Sequence, residues 1–331
     1  MKLVLVGVGR FGAGWYKLLK EQHPSIDVVA VDHDRERAVQ LLNPDDRFYT
    51  SLQAAIELEH PDAVINATPP QAHTAINHLA FDYGVPVLCE KPIAADYGEA
   101  IDVVARARRE HIPFMIAENY RYFPIMQQIK RLLDDGEIGE LISIDVRFAR
   151  SFFSDKTYLH TLPHPLLTDV TVHHLDLVRF LTGSEGRRIF AHLFNPQGSP
   201  YPGNAAARMI LELQNGVHVT YSGNLVAHED QTGWHGDWQI EGTRGVMRVT
   251  GDLLVVRNER VQQFRELGTW NLHGALDDFL QALVEQREPA ISGRDYLHTQ
   301  CLVYHAERSN ERRQMIEIDY SDLPDADMDK S

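Results

Sequence analysis

Lys91 stands where the apolar run Val87-Leu88-Cys89 meets Glu90 and is stopped by Pro92. Farther on, Asp169 and His173 lie four residues apart in a stretch with helical periodicity. At about 3.6 residues per turn their side chains share a face. A lysine beside a reacting hydroxyl can stabilise an alkoxide or relay a proton, and imidazole gains and loses protons near neutral pH. The three residue types together suit removal of a proton from a hydroxyl, with His173 as general base. Asp169 would fix the imidazole or bind a substrate hydroxyl, and Glu90 would orient Lys91. His174 points about 100° away from His173 and is the weaker base. Asp176 shares the His173 face, as an alternative orienting acid or as part of the structure.

Such a group needs a redox partner, and the N-terminus suggests one. Gly7-Val8-Gly9-Arg10-Phe11-Gly12 follows the apolar run Leu3–Val6 and opens a helical pattern, with Asp32 twenty residues beyond Gly12. Strand, G-x-G-x-x-G, helix, strand and acid in that order form the dinucleotide fingerprint. Gly7 allows the tight turn, Gly9 lets backbone approach a pyrophosphate, and Gly12 lets the helix pack on its strand. A carboxylate at Asp32 accepts from ribose hydroxyls and repels a 2′-phosphate, which favours NAD over NADP; Arg35 and Arg37 soften that preference. Ala67-Thr68-Pro69-Pro70 ends a further apolar run, where strand ends face the ligand crevice. The expected cofactor contacts are Gly7, Gly9, Arg10, Phe11, Gly12, Asp32, Thr68, Pro69, His73, Glu90 and Lys91. His73 has the alternative of simply starting the next helix.

These residues require an α/β scaffold. Apolar runs at Leu3–Val6, Val28–Val31, Ala63–Ala67, Val85–Cys89 and Phe114–Ala117 read as buried strands. Helical patterns at Gly12–Glu21, Leu52–Glu59, Gln71–Tyr83 and Tyr97–Glu110 separate them. Strands alternating with helices predict a doubly wound parallel sheet, a Rossmann domain over residues 1–120. After Tyr120 the pattern changes. A helix is expected at Ile125–Leu133, then longer alternating strands at Leu141–Phe148, Ile189–Phe194, Ala206–Leu213, Val217–Asn224, Trp238–Glu241, Gly245–Val249 and Leu253–Arg257. Gln214-Asn215-Gly216 reads as a hairpin turn. Helices are expected at Asp169–Leu181, Ala275–Gln286 and Asp295–Glu311. Residues 121–331 are thus an α+β domain with an open, mainly antiparallel sheet. The aspartate-rich tail is expected to be mobile after Tyr320.

The 331 residues suffice for two domains, and 44% hydrophobic with 24% charged residues fits a soluble globular protein. A formal charge of −15 argues against broad binding to nucleic acid or anionic membrane. No apolar stretch approaches the ~20 residues of a membrane span, and Leu3–Val6 is too short for a signal-peptide core. The two cysteines, Cys89 and Cys301, read as reduced thiols of a cytosolic protein. The seventeen histidines are scattered without metal-ligand spacing, the densest group being His160, His164, His173 and His174, and no metal is expected.

At the glycine motif, Ala67-Thr68-Pro69-Pro70, Glu90-Lys91-Pro92, Glu118-Asn119-Tyr120-Arg121-Tyr122-Phe123-Pro124 and Asp169-x-x-x-His173-x-x-Asp176, the sequence resembles the glucose–fructose oxidoreductase/inositol dehydrogenase (Gfo/Idh/MocA) family. The motifs occur in the family's order, and the resemblance spans essentially the whole chain. It implies a substrate-binding second domain whose sheet forms a homo-oligomer, a dimer or tetramer. It also implies a catalytic trio of Lys91, Asp169 and His173, and reversible oxidation of a secondary hydroxyl. The chain departs from the family at Leu162-Pro163-His164-Pro165-Leu166-Leu167-Thr168, where members often carry a glycine-rich segment. The substrate therefore cannot be borrowed from familiar members.

The resulting expectation is a cytoplasmic NAD-dependent dehydrogenase acting on a sugar, inositol or related polyol. Substrate contacts are expected at Lys91, Asn119, Tyr120, Arg121, Tyr158, Asp169, His173, Trp234 and His235; the aromatics among them could stack on a sugar ring or simply pack. Two alternatives use the same scaffold: a glycosidase or epimerase that retains its NAD, and a non-enzymatic NAD-sensing regulator.

Overall fold

A computed structural model describes residues 1–152, 157–265, 267–268 and 273–324, without the side chains of residues 157, 158 and 273. The chain divides into two units: Met1–Glu118 with Leu272–Leu297 and Ser321–Ser331, and Asn119–Asn271 with His298–Tyr320. The first break falls between Glu118 and Asn119. The sequence reading assigned everything after residue 120 to one second domain, whereas Leu272–Leu297 returns to the first unit. There Ile116 N donates to Ile291 O at 2.9 Å, so the returning chain takes up backbone groups at the sheet edge. The tail expectation falls mostly on 325–331, outside the described residues.

In the first unit, β1 (Lys2–Val6), β2 (Asp27–Val31), β3 (Arg47–Tyr49), β4 (Ala63–Asn66), β5 (Val87–Cys89) and β6 (Phe114–Ile116) form one sheet in the order β3-β2-β1-β4-β5-β6. Every neighbouring pair is parallel. Strands β1 and β4 are buried on both faces, which is why Leu3–Val6 and Ala63–Ile65 read as unbroken runs rather than alternations. The connections are α1 (Arg10–Gln22), α2 (Arg35–Leu41), α3 (Leu52–Glu59), α4 (Pro70–Asp82) and α5 (Tyr97–Arg109). Their starts follow local chemistry. Asp34, Ser51 and Asp96 cap α2, α3 and α5 by accepting from Arg37 N, Ala54 N and Glu99 N. Pro70 supplies the preset φ at the start of α4. The sequence reading missed β3 and α2. β3 is three residues long, and Ala38 is the one buried residue of α2, so neither carries a readable period.

The second unit is built on nine strands: β7 (Leu141–Ala149), β8 (Gly186–Phe194), β9 (Ala206–Leu213), β10 (His218–Asn224), β11 (Asp237–Gly242), β12 (Gly245–Thr250), β13 (Leu253–Arg257), β14 (Val261–Phe264) and β15 (Ile316–Glu317). Their order is β14-β13-β12-β11-β7-β10-β9-β8-β15, and among these pairs β7 with β10 is parallel while the rest are antiparallel. The expected hairpin joins β9 to β10, with Gly216 at φ +86° in its turn. Helices α6 (Pro124–Asp134), α7 (Thr157–Thr161) and α8 (Val172–Thr182) precede β8. Helix α9 (His273–Glu285) lies in the returning segment of the first unit, and α10 (Gly293–Arg312) enters the second unit at His298. From α10, Ser309 Oγ and Asn310 Oδ1 accept from Ala191 N (3.0 Å) and Leu193 N (2.8 Å), completing the ladder of β8.

One carboxyl on α10 makes stability depend on pH. Burial, then the neighbouring Glu311, pushes Glu307 up from the ordinary carboxylate range to about 7. The folded chain thus holds a proton at Glu307 that the unfolded chain releases near pH 4.5. The stabilising share of this group is present below that pH and is lost as pH rises through about 7. Glu307→Gln is therefore expected to raise Tm more at pH 8 than at pH 5. Equal shifts at both pH values in thermal melts would contradict this.

Candidate active site

The glycine turn of the first unit has the shape of a dinucleotide cradle. Gly7 sits at φ +87°, and a Cβ there would come within 2.9 Å of Ala67 O. A Cβ on Gly12 would lie 1.8 Å from Gly7 O, so no other residue lets α1 meet the strand this closely. A Cβ on Gly9, by contrast, would find only Arg37 Nη1 at 3.8 Å among near neighbours, leaving the space a bound phosphate needs. No side chain caps α1 at Gly9, so the partial positive charge of the helix start is left for an anion. Arg10 and Phe11 are exposed at that helix start. Asp32 is buried at the end of β2, accepting from Val8 N at 2.8 Å and Asp34 N at 2.9 Å. Its carboxylate both braces the glycine turn and keeps lone pairs for ribose hydroxyls. These residues fit a bound dinucleotide.

The neighbouring strand ends are held from beneath. Asn66, a polar residue inside the apolar β4, accepts from Thr68 Oγ1 at 2.7 Å and donates to Asn77 Oδ1 at 2.9 Å. Pro69 precedes α4 at its cap position. His73 has no exposed surface; its Nδ1 faces Pro92 O at 2.7 Å and its Nε2 faces Thr68 O at 2.8 Å. Burial pushes its pKa down, and a neutral ring donates to one of the two carbonyls. His73 therefore ties the Thr68 turn to the Lys91–Pro92 segment, and its enclosed ring supports the cofactor site rather than lining it. Glu90 Oε1 accepts from Trp15 Nε1 at 2.8 Å, an anchor the sequence reading missed. Lys91 is half-buried directly after β5. Cys89 is fully buried, its thiol pushed up by desolvation, which makes it an inert core residue.

In the second unit the expected helix opens with a π-helical turn, Leu167–Thr171, before α8 takes over at Val172. Asp169 lies in that wider turn and His173 in the first turn of α8; such turns recur at functional sites. His173 is buried, and the Tyr120 ring stacks on its imidazole with centroids 3.9 Å apart and planes 9° apart. His174 is engaged at both nitrogens. Thr171 Oγ1 donates to Tyr221 Oη at 3.0 Å, Tyr221 Oη meets His174 Nδ1 at 3.1 Å, and His174 Nε2 meets Trp234 O at 2.9 Å. Burial pushes the Tyr221 phenol up, so it stays a donor to Nδ1 and assigns His174 the Nε2–H tautomer. With both nitrogens committed, His174 is unsuited to be the base.

Several expected substrate contacts are committed elsewhere. Arg121 Nε and Nη2 donate to Asp176 Oδ2 and Oδ1 at 2.6 and 2.7 Å, a buried bidentate pair. Thr299 Oγ1 adds a donor to Asp176 at 2.8 Å. Asp176 is thereby the partner of Arg121, and Arg121 is bound in the structure. His235 is buried, with Nε2 3.0 Å from Gly251 O and its ring against Phe123 at 5.3 Å, a packing role. Trp234 is half-buried, with the Arg150 guanidinium 4.7 Å over its ring. Asn119 opens a 3₁₀ turn, Asn119–Tyr122, and its buried Oδ1 has no hydrogen-bond partner among the described residues. Such an atom is suited to a ligand. The side chain of Tyr158 lies outside the described residues. Among those residues no group of three His, Cys, Asp or Glu is placed to hold a metal ion, and no helix is long and apolar enough to cross a membrane.

Comparison with known proteins meets this geometry at both units. A family model described as an oxidoreductase family with an NAD-binding Rossmann fold matches residues 1–118. The GFO/IDH/MocA C-terminal domain matches residues 126–248. The chain belongs to the Gfo/Idh/MocA oxidoreductase family. It is an oxidoreductase, and its cofactor is NAD. Similar Gfo/Idh/MocA relatives include D-apiose dehydrogenase of Paraburkholderia graminis, 28% identical over 76% of this chain and 68% of the relative. Inositol 2-dehydrogenase 1 of Saccharopolyspora erythraea is 32% identical over 66% of each chain. Among solved structures, an oxidoreductase from Agrobacterium radiobacter in complex with NAD+, L-tartaric acid and magnesium superposes with a TM-score of 0.88 at 24% identity. The match covers 96% of this chain and 98% of that one and shows the shared fold.

Proposed function

We propose that this Gfo/Idh/MocA member is an NAD-dependent dehydrogenase that oxidises a secondary hydroxyl of a sugar, inositol or related polyol. The observation that carries the reading is His173, whose ring is held by stacking while its neighbour His174 is committed at both nitrogens. The commitments of His174 count against it as the base and favour His173. The names of the relatives, inositol 2-dehydrogenase and D-apiose dehydrogenase, agree with a polyol or sugar substrate.

Gly7, Gly9, Arg10, Phe11 and Gly12 would hold the pyrophosphate, Asp32 the adenosine ribose, and Thr68, Pro69, Glu90 and Lys91 the nicotinamide end. Bound NAD supplies the hydride acceptor. His173 takes the hydroxyl proton, Lys91 stabilises the alkoxide as it forms, and Asp169 holds the substrate hydroxyl or the lysine. Asn119 supplies an unmatched acceptor for a further substrate or cofactor group.

The test is absorbance at 340 nm with purified protein, NAD and a panel of inositols, aldoses including D-apiose, and sugar acids, with NADP in parallel. Substrate-dependent NADH release is expected for at least one polyol. NAD binding without NADH release on any member would contradict the dehydrogenase.

A further inference from the structure

We propose that Tyr120 is the positioning residue for proton transfer at His173: its ring face fixes the imidazole plane and stabilises the imidazolium that forms. This rests on His173 being the base. The motif containing Tyr120 marked it in the sequence as a substrate contact, but its ring is buried and lies on the imidazole instead.

The two rings meet face to face rather than edge-on. Aromatic pairs prefer edge-to-face or widely offset arrangements, because stacked faces oppose like quadrupoles. Centroids 3.9 Å apart and planes 9° apart put the two ring faces in direct parallel contact. A cationic ring over a phenol face reverses the sign of that interaction, since the negative π face attracts the charge. The stack thus improves as His173 takes the substrate proton, which is the behaviour expected of a group that favours the transition state over the ground state. Tyr120 is itself braced on its other side. Phe123 meets it edge-on at 5.0 Å and His174 at 6.1 Å, and His174 is tied to Tyr221 and Trp234. The 3₁₀ turn Asn119–Tyr122 that carries Tyr120 is pinned by the bidentate Arg121–Asp176 pair to the same helix that carries His173. The two rings are thereby set on one rigid frame.

The experiment is a double-mutant cycle on Tyr120 and His173, using myo-inositol or the panel sugar that turns over fastest. Tyr120→Leu is expected to lower kcat on the order of tenfold with KM and the NAD dissociation constant nearly unchanged. Tyr120→Phe, which keeps the face and loses the hydroxyl, is expected to restore most of kcat. In the His173→Ala background, Tyr120→Leu is expected to cost nothing further, because its effect runs through the missing imidazole. Tyr120→Met serves as the second non-aromatic variant should the leucine protein not fold. Equal losses in both backgrounds, or a leucine variant as active as the phenylalanine one, overturn the proposal while leaving His173 as base. Normal turnover of His173→Ala alone overturns the base and the positioning role together.

Discussion

Lys91→Ala and His173→Ala should each lower turnover at least ~100-fold, the lower scale for a positioned acid or base. The reason is that the proposed roles place both residues on the developing charge. Lys91 is half-buried, two residues beyond the end of β5. His173 is buried under the Tyr120 ring, and the commitments of His174 favour His173 as the proposed base. For His173→Ala the loss should fall on kcat, with NAD binding kept, because the glycine turn and Asp32 form their own braced unit. For Lys91→Ala, placed at the nicotinamide end, NAD binding should weaken as well. Rates of substrate-dependent NADH release, together with a fluorescence titration of NAD, read both quantities. Turnover near the native value in both variants contradicts the proposed roles.

Asp176→Ala is expected to cost about 3–5 kcal/mol of unfolding free energy, the scale for breaking a buried ion pair from one side. Asp176 is fully buried, with Arg121 bidentate on both oxygens and Thr299 on one of them. Arg179 approaches it at 3.8 Å and in turn donates to Thr299 at 2.9 Å and to Glu185 at 2.7 Å through both Nε and Nη2. Removing the carboxylate takes from the buried Arg121 guanidinium the partner of these two hydrogen bonds. Burial opposes the ionised Glu185, yet Arg179 and His298 pull it down to about 2, so the rest of the network stays charged at neutral pH. Urea unfolding checks the figure; a loss below about 1 kcal/mol, the scale of an exposed pair, contradicts the structural reading of Asp176.

What the sequence disclosed and what it hid follow from the physics of each element. The parallel sheet was legible because strands buried on both faces are mostly apolar, as Leu3–Val6 and Ala63–Ile65 are. The glycine turn was legible because Gly7 and Gly12 occupy places where a side chain cannot fit. β3 and α2 were not, since neither is long enough or apolar enough to show a period. The return of Leu272–Leu297 to the first unit leaves no local mark, because it depends on a distant partner, Ile116. The Asp/His spacing located the helix that carries His173. Periodicity ranked His174 below His173, but it could not show what holds His174 and Asp176. Both are held by partners far along the chain, Tyr221, Trp234, Arg121 and Thr299. Asn66 offered a signal that went unused, a polar residue inside an otherwise apolar strand, which marks a buried network under the Thr68 turn. The supporting roles of Trp15 and Tyr221 have no counterpart in local sequence at all.

The measurement closest to the central claim follows the hydrogen itself. The polyol that gives the highest NADH rate is prepared with deuterium on the carbon bearing the reacting hydroxyl and oxidised by the enzyme with ordinary NAD. The account predicts one deuterium in the released NADH by mass spectrometry, and a slower rate than with the protonated substrate. Deuterium retained in the sugar product, with no labelled NADH released, would contradict a dehydrogenase and point instead to a cofactor reduced only in passing.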